Sequence, residues 1–300
     1  GYRSEKSLYN HKHSVFEVNI LGWNTQGTEA CEGDLVELVG INHKHFIITL
    51  TTGGELQSHR GVVKHDDIIG KPWGSQILSH MGSPFFVLQP ALTDILRGIK
   101  RNTQIIYPKE IGYILLRLGV GPGMRIGEAG TGSGALTTAF AFSIGESGKV
   151  FTYDQKEENQ NLARKNLERV GLVQRVEFFH QDIGEGFLQE NLDAVFLDMY
   201  NPYDYMGQVR KALKPGGFFG TILPTTNQVC KVLDALRQER FGFIDTLEIS
   251  MRFFKAEPER FRPVDRMVAH TGYLVFARPV VISESEESMA LLKDTMENED

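Results

Sequence analysis

Three glycines in five residues, Gly130, Gly132 and Gly134, close one apolar run and open a helical one in MRIGEAGTGSGALT, Met124–Thr137. Ala135, Leu136, Ala139 and Phe140 follow at helical spacing. The stretch reads as strand, tight turn, helix. Glycine permits positive φ and lets a ligand lie against the backbone. The free N–H groups that open the helix favour an electron-rich ligand group. Three glycines weaken a fold unless something approaches them, which argues against a bare structural turn. The next apolar run, VFTYD, ends in Asp154, twenty residues after Gly134, where a ribose-binding carboxylate belongs.

From this turn onward the chain alternates. Met124–Ala129, Lys149–Asp154, Arg175–His180, Leu192–Asp198 and Gly216–Leu223 read as strands. Ala135–Ile144, Lys156–Val170, Asp204–Leu213 and Thr226–Arg240 read as helices between them. The alternation predicts an α/β fold with a parallel, doubly wound, Rossmann-like sheet. Phe243–Phe254 and Met267–Ala277 follow as two long β segments with no helix between, an antiparallel ending foreign to a dinucleotide-binding domain. Upstream, short alternating runs (VFEVNI, DLVELVG, HFIITL, GELQSHRGVV) are cut by Gly, Asn and Asp turns and predict a small antiparallel β domain over 15–74. Gly74–Pro90 reads as a linker, and Leu92–Ile99 and Glu110–Leu118 as helices. The domain boundaries are thus an arm at 1–14, the β domain at 15–74, the large domain at 75–282 and a tail at 283–300.

Charge is uneven. The chain of 300 residues carries a net −6, and the tail Ser283–Asp300, with seven acids and one lysine, accounts for all of it. The body is therefore neutral and leaves a nucleic-acid face open. The tail reads as a solvated end with at most one helical turn near Met289–Leu292. No apolar run is long enough to cross a bilayer. Cys31 and Cys230 lie far apart without metal spacing and read as buried reduced thiols of a cytosolic protein. His43 and His45 alternate along one strand without further ligands, so no metal is expected.

The glycine loop leaves its ligand open. Gly130-x-Gly132-x-x-Ala135 satisfies a relaxed dinucleotide fingerprint, and Glu128-x-Gly130-x-Gly132-x-Gly134 equally matches the loop that binds S-adenosylmethionine (SAM) in methyltransferases. Ligands of such sheets sit at the carboxyl ends of the strands. Asp182 is placed for an adenine amino group, or as a helix N-cap. Asp198 ends an apolar run beside an aromatic-rich loop; a buried unpaired charge is costly, so function explains it better than packing. Tyr107 precedes a proline and is extended, a geometry that suits either a ring held over a pocket or simple packing at a helix start.

At this point the chain resembles the tRNA (adenine-58, N1) methyltransferases of the single-gene, prokaryotic type, from about Phe16 to Pro279. HRGVVKHDDIIG (His59–Gly70), QIIYPKE (Gln104–Glu110), EAGTGSGALT (Glu128–Thr137), LDMYNP (Leu197–Pro202) and RMVAHTGYL (Arg266–Leu274) carry the resemblance. It implies a SAM-binding domain, a β-rich N-terminal domain that helps hold tRNA, a homotetramer and a cytoplasmic enzyme. It assigns the cofactor to Gln104, Glu128, Gly130, Thr131, Gly132, Ser133, Gly134, Asp154, Gln155 and Asp182. Asp198 matches the catalytic aspartate and Tyr107 the active-site tyrosine. Tyr203, His270, Thr271 and Arg252 are assigned to the substrate. The loop after the aspartate ends in Pro202-Tyr203 where the family usually has Pro-Trp. RNA contact is expected from Arg97, Lys100, Arg101 and Lys109, and from Arg252, Lys255, Arg260, Arg262 and Arg266 interleaved with Phe253, Phe254 and Phe261. The competing readings are a nicotinamide-dependent oxidoreductase, which lacks an evident proton donor near the fourth strand; a noncatalytic RNA-binding subunit, which has no need of the glycine loop; and a methyltransferase of small molecules or proteins.

Overall fold

A computed structural model describes residues 27–102, 104–283 and 285–295. The expected 1–14 arm and the run VFEVNI lie outside the described residues.

The N-terminal part is built from β1 (Leu35–Gly40), β2 (Lys44–Thr49), β3 (Glu55–Ser58), β4 (Gly61–Lys64), β5 (Gln76–Leu78) and β6 (Pro84–Leu88). They form an antiparallel sheet in the order β2-β1-β6-β5 and a separate β3-β4 pair. Val36, Leu38, Phe85 and Val87 alternate inward and pack on Leu50, Val63 and Ile68. The segment taken as a linker is therefore largely sheet. Phe85, fully inside, pairs with Gly40, and Leu88 with Glu37. Its few apolar residues and flanking glycines mask two strands that are held by long-range pairing.

Two helices follow, α1 (Leu92–Arg97) and α2 (Pro108–Arg117), then β7 (Arg125–Ala129), α3 (Ala135–Ser143), β8 (Lys149–Asp154), α4 (Glu157–Arg169), β9 (Val176–His180), β10 (Leu192–Leu197), α5 (Met206–Ala212), β11 (Leu213–Leu223), α6 (Thr226–Gln238), β12 (Phe241–Leu247), β13 (Tyr273–Pro279) and α7 (Glu286–Asp294). The seven strands order as β12-β13-β11-β10-β7-β8-β9, parallel throughout except for β13. α3 is apolar on every side and is buried from Ala135 to Ala141, as a helix enclosed between the sheet and its neighbours must be.

Three expectations need correction. The β ending is shorter than the sequence suggests: β12 stops at Leu247 and β13 starts at Tyr273. The residues between form an exposed arm closed by the Phe254–Pro263 bridge, with Phe254 and Phe261 stacked at 5.1 Å. Pro258 and Pro263 cannot donate to a ladder there. The tail is not merely solvated: α7 docks Leu292 into the fold beside Gly242, and Ser285 caps its start. Both cysteines are exposed rather than buried.

Candidate active site

The chain leaves β7 toward β8 and β9 on one side and returns to β10 and β11 on the other, so the C-terminal ends of β7 and β10 flank the switch point of the sheet. There the glycine turn meets Asp198. The Asp198 N–H donates to the Ala129 carbonyl at 2.8 Å. Gly130 has φ +93°, and a Cβ on it would stand 2.0 Å from the Asp198 carbonyl oxygen. Only glycine fits this contact. Asp198 keeps some solvent access at its edge, yet burial pushes its carboxyl up to about 6.

Glu128, assigned to the cofactor, lies beneath the turn. Its Oε2 accepts hydrogen bonds from Thr137 and Thr152, each at 2.6 Å, and the Thr152 hydroxyl also bonds that of Thr131 at 2.7 Å. Burial pushes the Glu128 carboxyl up to about 8, so at neutral pH it is a protonated strut. Gly134, at φ +81°, lets α4 pack closely: its Cβ would be 2.8 Å from that of Ala163.

One cleft, of about 240 Å³, opens on the β8 side of the turn. Gly130, Asp154, Gln155, Asn159, Met199 and Tyr200 are among its walls. Asp154 is fixed before any ligand arrives: its carboxylate accepts from the Gly132 N–H at 3.0 Å, the Lys156 N–H at 2.8 Å and the Asn159 side chain. Asp182 caps a short 3-10 turn, accepting from the Gly184 N–H at 2.8 Å, while its neighbours Gln181 and Ile183 line the cleft. Ser133 lies under Asn102, whose N–H reaches its hydroxyl at 3.3 Å. Asn166 of α4 ties this crossing segment down by bonding the carbonyls of Lys100 and Ser133. Neither Asn159 nor Asn166 was singled out from sequence; polar residues on the buried face of an amphipathic helix were the available signal.

A second cleft, of about 220 Å³, opens on the other side of Asp198. It is lined by Gln104, Ile106, Tyr107, Glu110, Asp198, Leu223 and Thr271 among others. Tyr107 precedes α2 with extended backbone, φ −73° and ψ 153°, and its hydroxyl accepts from Gln104 at 3.1 Å. Behind it Lys109 is buried. It contacts Glu110 and donates to the Ile249 carbonyl and the Thr271 hydroxyl, both at 2.6 Å, so it does not face RNA.

The other assigned substrate residues scatter. His270 stands outside the cleft lining, and hydrogen bonds to the Pro224 carbonyl and the Glu248 carboxylate hold its imidazole above the usual range. Tyr203 packs against the core on the α6 side, with the Lys231 ammonium 4.9 Å from its ring centre; it lines neither cleft. Arg252 sits on the exposed arm with Phe253, Arg260, Phe261, Arg262 and Arg266.

The family model of the "tRNA methyltransferase complex GCD14 subunit" matches residues 85–266, and that of a "TrmI-like N-terminal" domain matches 30–77. The chain is 35% identical to the tRNA (adenine(57)-N(1)/adenine(58)-N(1))-methyltransferase TrmI of Methanocaldococcus jannaschii, over 76% of this chain and 89% of that one. It is 31% identical to the tRNA (adenine(58)-N(1))-methyltransferase TrmI of Thermus thermophilus, over 78% and 92%. Among solved structures it resembles a SAM-dependent O-methyltransferase from Thermotoga maritima (TM-score 0.77, 40% identity, 86% of this chain and 97% of that one). It also resembles the tRNA (m1A58) methyltransferase TrmI from Aquifex aeolicus (TM-score 0.71, 39% identity, 84% and 99%). With both of its parts matched and the glycine turn and strand-end aspartate in contact, this chain belongs to the TrmI family of tRNA methyltransferases.

Proposed function

We propose that the protein transfers a methyl group from SAM to N1 of adenine 58 in the T loop of tRNA. The observation that carries this reading is the seam between Gly130 and Asp198, which joins a nucleoside-sized cleft lined by Gly130 to a second, apolar-walled one lined by Asp198. The first cleft suits SAM: the Gly130 backbone lines it, without a side chain to narrow it, and Asp154 stands in its wall at the usual ribose position. Bound there, SAM supplies an electrophilic sulfonium methyl.

The chain's residues do the rest. Adenine N1 is tied up in base pairing, so the base is freed and held in a pocket. Tyr107 offers a rigid ring at the rim of the second cleft. Adenine N1 keeps a free lone pair at neutral pH, so no protein nucleophile is required. Asp198 accepts a hydrogen bond from the exocyclic N6 amino group, and its charge stabilises the cation that develops on the ring as N1 is alkylated. Alignment of the nitrogen with the methyl group is a positioning task. Tyr203, packed under Lys231, has no part in stacking in this reading. The exposed arm with its arginines and phenylalanines is the RNA-facing surface. A homotetramer and a cytoplasmic site belong to the same proposal. Among the described residues no helix is long and apolar enough to cross a membrane.

The test is methyl transfer onto unmodified tRNA, followed by nucleoside analysis. The expected product is 1-methyladenosine at position 58. Asp198→Ala is expected to retain SAM binding by calorimetry and to lose at least about 100-fold in turnover, the scale of a lost electrostatic contact at the reacting ring. A methyl group on a ribose oxygen, or undiminished turnover by the variant, would overturn the assignment.

A further inference from the structure

The second cleft contains a carboxylate that the mechanism above leaves unused. Glu110, in the first turn of α2, is 0% exposed and lines this cleft together with Asp198 and Tyr107. Its Oε1 is occupied, by the Lys109 ammonium and the Thr271 hydroxyl. Its Oε2 is buried and has no hydrogen-bond partner. A buried polar atom without a partner is rare, and an absent ligand is one of the few physical explanations for it. The Asp198 carboxylate is likewise shifted by burial alone, with no hydrogen bond contributing. The residues around the cleft thus include two carboxylates, from segments far apart in sequence, and the unpartnered oxygen of Glu110 lies just behind the wall.

We infer that Glu110 is a second substrate-contacting carboxylate: its Oε2 accepts one N–H of the exocyclic amino group of the bound base while Asp198 accepts the other. The inference rests on the reading of this cleft as the target-base pocket. A modest turn about the soft terminal torsion of the side chain brings Oε2 to the cleft surface. Lys109, held by the Ile249 carbonyl and Thr271, stays beside the carboxylate and balances its charge. The arrangement selects by repulsion as well as attraction. A purine with a 6-oxo group would set a carbonyl oxygen against two carboxylates, a desolvated acceptor–acceptor clash, so amino-bearing adenine enters and guanine or hypoxanthine does not.

The experiment is a double-mutant cycle between protein and base. Dissociation constants are measured, with S-adenosylhomocysteine present, for tRNA carrying either adenine or unsubstituted purine at position 58. The proteins compared are wild type and Glu110→Gln. In wild type, deleting the amino group is expected to weaken binding by about tenfold or more, the scale of hydrogen bonds to charged groups. In Glu110→Gln the same deletion is expected to cost at least about fivefold less, because the amide oxygen stays with the Lys109 and Thr271 donors and an NH2 donor replaces the acceptor that faced the amino group. SAM affinity of the variant stays within about twofold of wild type, since Glu110 lies outside the cofactor cleft. If Glu110→Gln does not fold, Lys109→Met/Glu110→Gln removes both charges of the buried pair and carries the same comparison. Equal losses in both proteins overturn the inference and leave Glu110 a structural anchor, as does a wild type indifferent to the amino group. A variant whose main defect is in SAM affinity also overturns it, making Glu110 a cofactor ligand. Failure of the wild type to methylate tRNA at all, read separately, would instead remove the functional reading beneath it.

Discussion

The two clefts that meet at Asp198 are built on opposite plans. On the side of the glycine turn, the Asp154 carboxylate is held by Gly132, Lys156 and Asn159, all from one strand–helix–strand–helix unit. The site is fixed without its ligand, and little ordering remains to oppose binding. On the other side, the wall is assembled from residues 104–107, 110, 198, 222–224 and 271, and two of its carboxylates keep spare acceptors. One cleft is preorganised by its own backbone; the other is completed by the hydrogen-bond donors of what enters it. A general cofactor used in every turnover suits the first plan. A base that must be told from other bases suits the second.

The sharpest way to break this contrast is at the shared seam. Gly130→Ala places a Cβ 2.0 Å from the Asp198 carbonyl oxygen at a φ of +93°. Neither backbone can yield without moving the turn or the end of β10. The variant is expected to lose SAM binding by more than about tenfold and methyl transfer by more than about 1000-fold, since both clefts deform together. Calorimetry with SAM and a transfer assay read the two losses. Intact SAM binding with lost transfer would mean that the seam matters to the base side only.

The two clefts should also separate by pH. Burial raises the Asp198 carboxyl to about 6, so the free protein holds it as an anion above that value and as a neutral acid below it. In the proposed mechanism the protonated form no longer offers an anionic acceptor to the N6 amino group. The kcat/KM for tRNA is expected to fall about tenfold per pH unit below about 6, while SAM affinity stays flat over the same range. Asp198→Asn should give a low, level profile. A wild-type profile level from pH 5 to 8 would show that the ionisation of Asp198 has no role in the rate.

The same division explains what could be read from the sequence. The cofactor side was legible because its determinants are local: glycine spacing, an acid at the end of the next strand, and alternating periods that give the parallel sheet. Asp198 was legible because a charge closing the apolar run DAVFL has few structural excuses. The substrate side was legible only in part. Tyr107 announced itself through the proline that follows it. Lys109 was misread as a surface base, because nothing in QIIYPKE discloses that Ile249 and Thr271, more than 130 residues away, close over it. Tyr203, read from sequence as an aromatic platform, lies outside both clefts with the Lys231 ammonium over its ring. The strands β5 and β6 were hidden because their partners, not their own pattern, make them strands.

Glu128 tests the preorganised half through stability rather than rate. Glu128 is held at a carboxyl pKa of about 8, against an ordinary 4.5, by burial under the glycine turn. The folded protein therefore keeps this proton between those two values while the unfolded chain releases it. Folding stability contributed by the group is present at low pH and declines as pH rises through the window. Glu128→Gln keeps the shape and an acceptor for Thr137 and Thr152 but cannot titrate. Relative to wild type it is expected to gain about 2 kcal/mol between pH 5 and pH 8, within the roughly 1.4 kcal/mol per unit that linkage allows. Denaturant unfolding of both proteins across that range reads the difference, and SAM affinity at pH 7 should barely change, because the strut is already neutral there. Parallel stability curves would mean that Glu128 is ionised beneath the turn. In that case the first cleft, too, would rest on a buried negative charge, and the contrast between the two clefts would weaken.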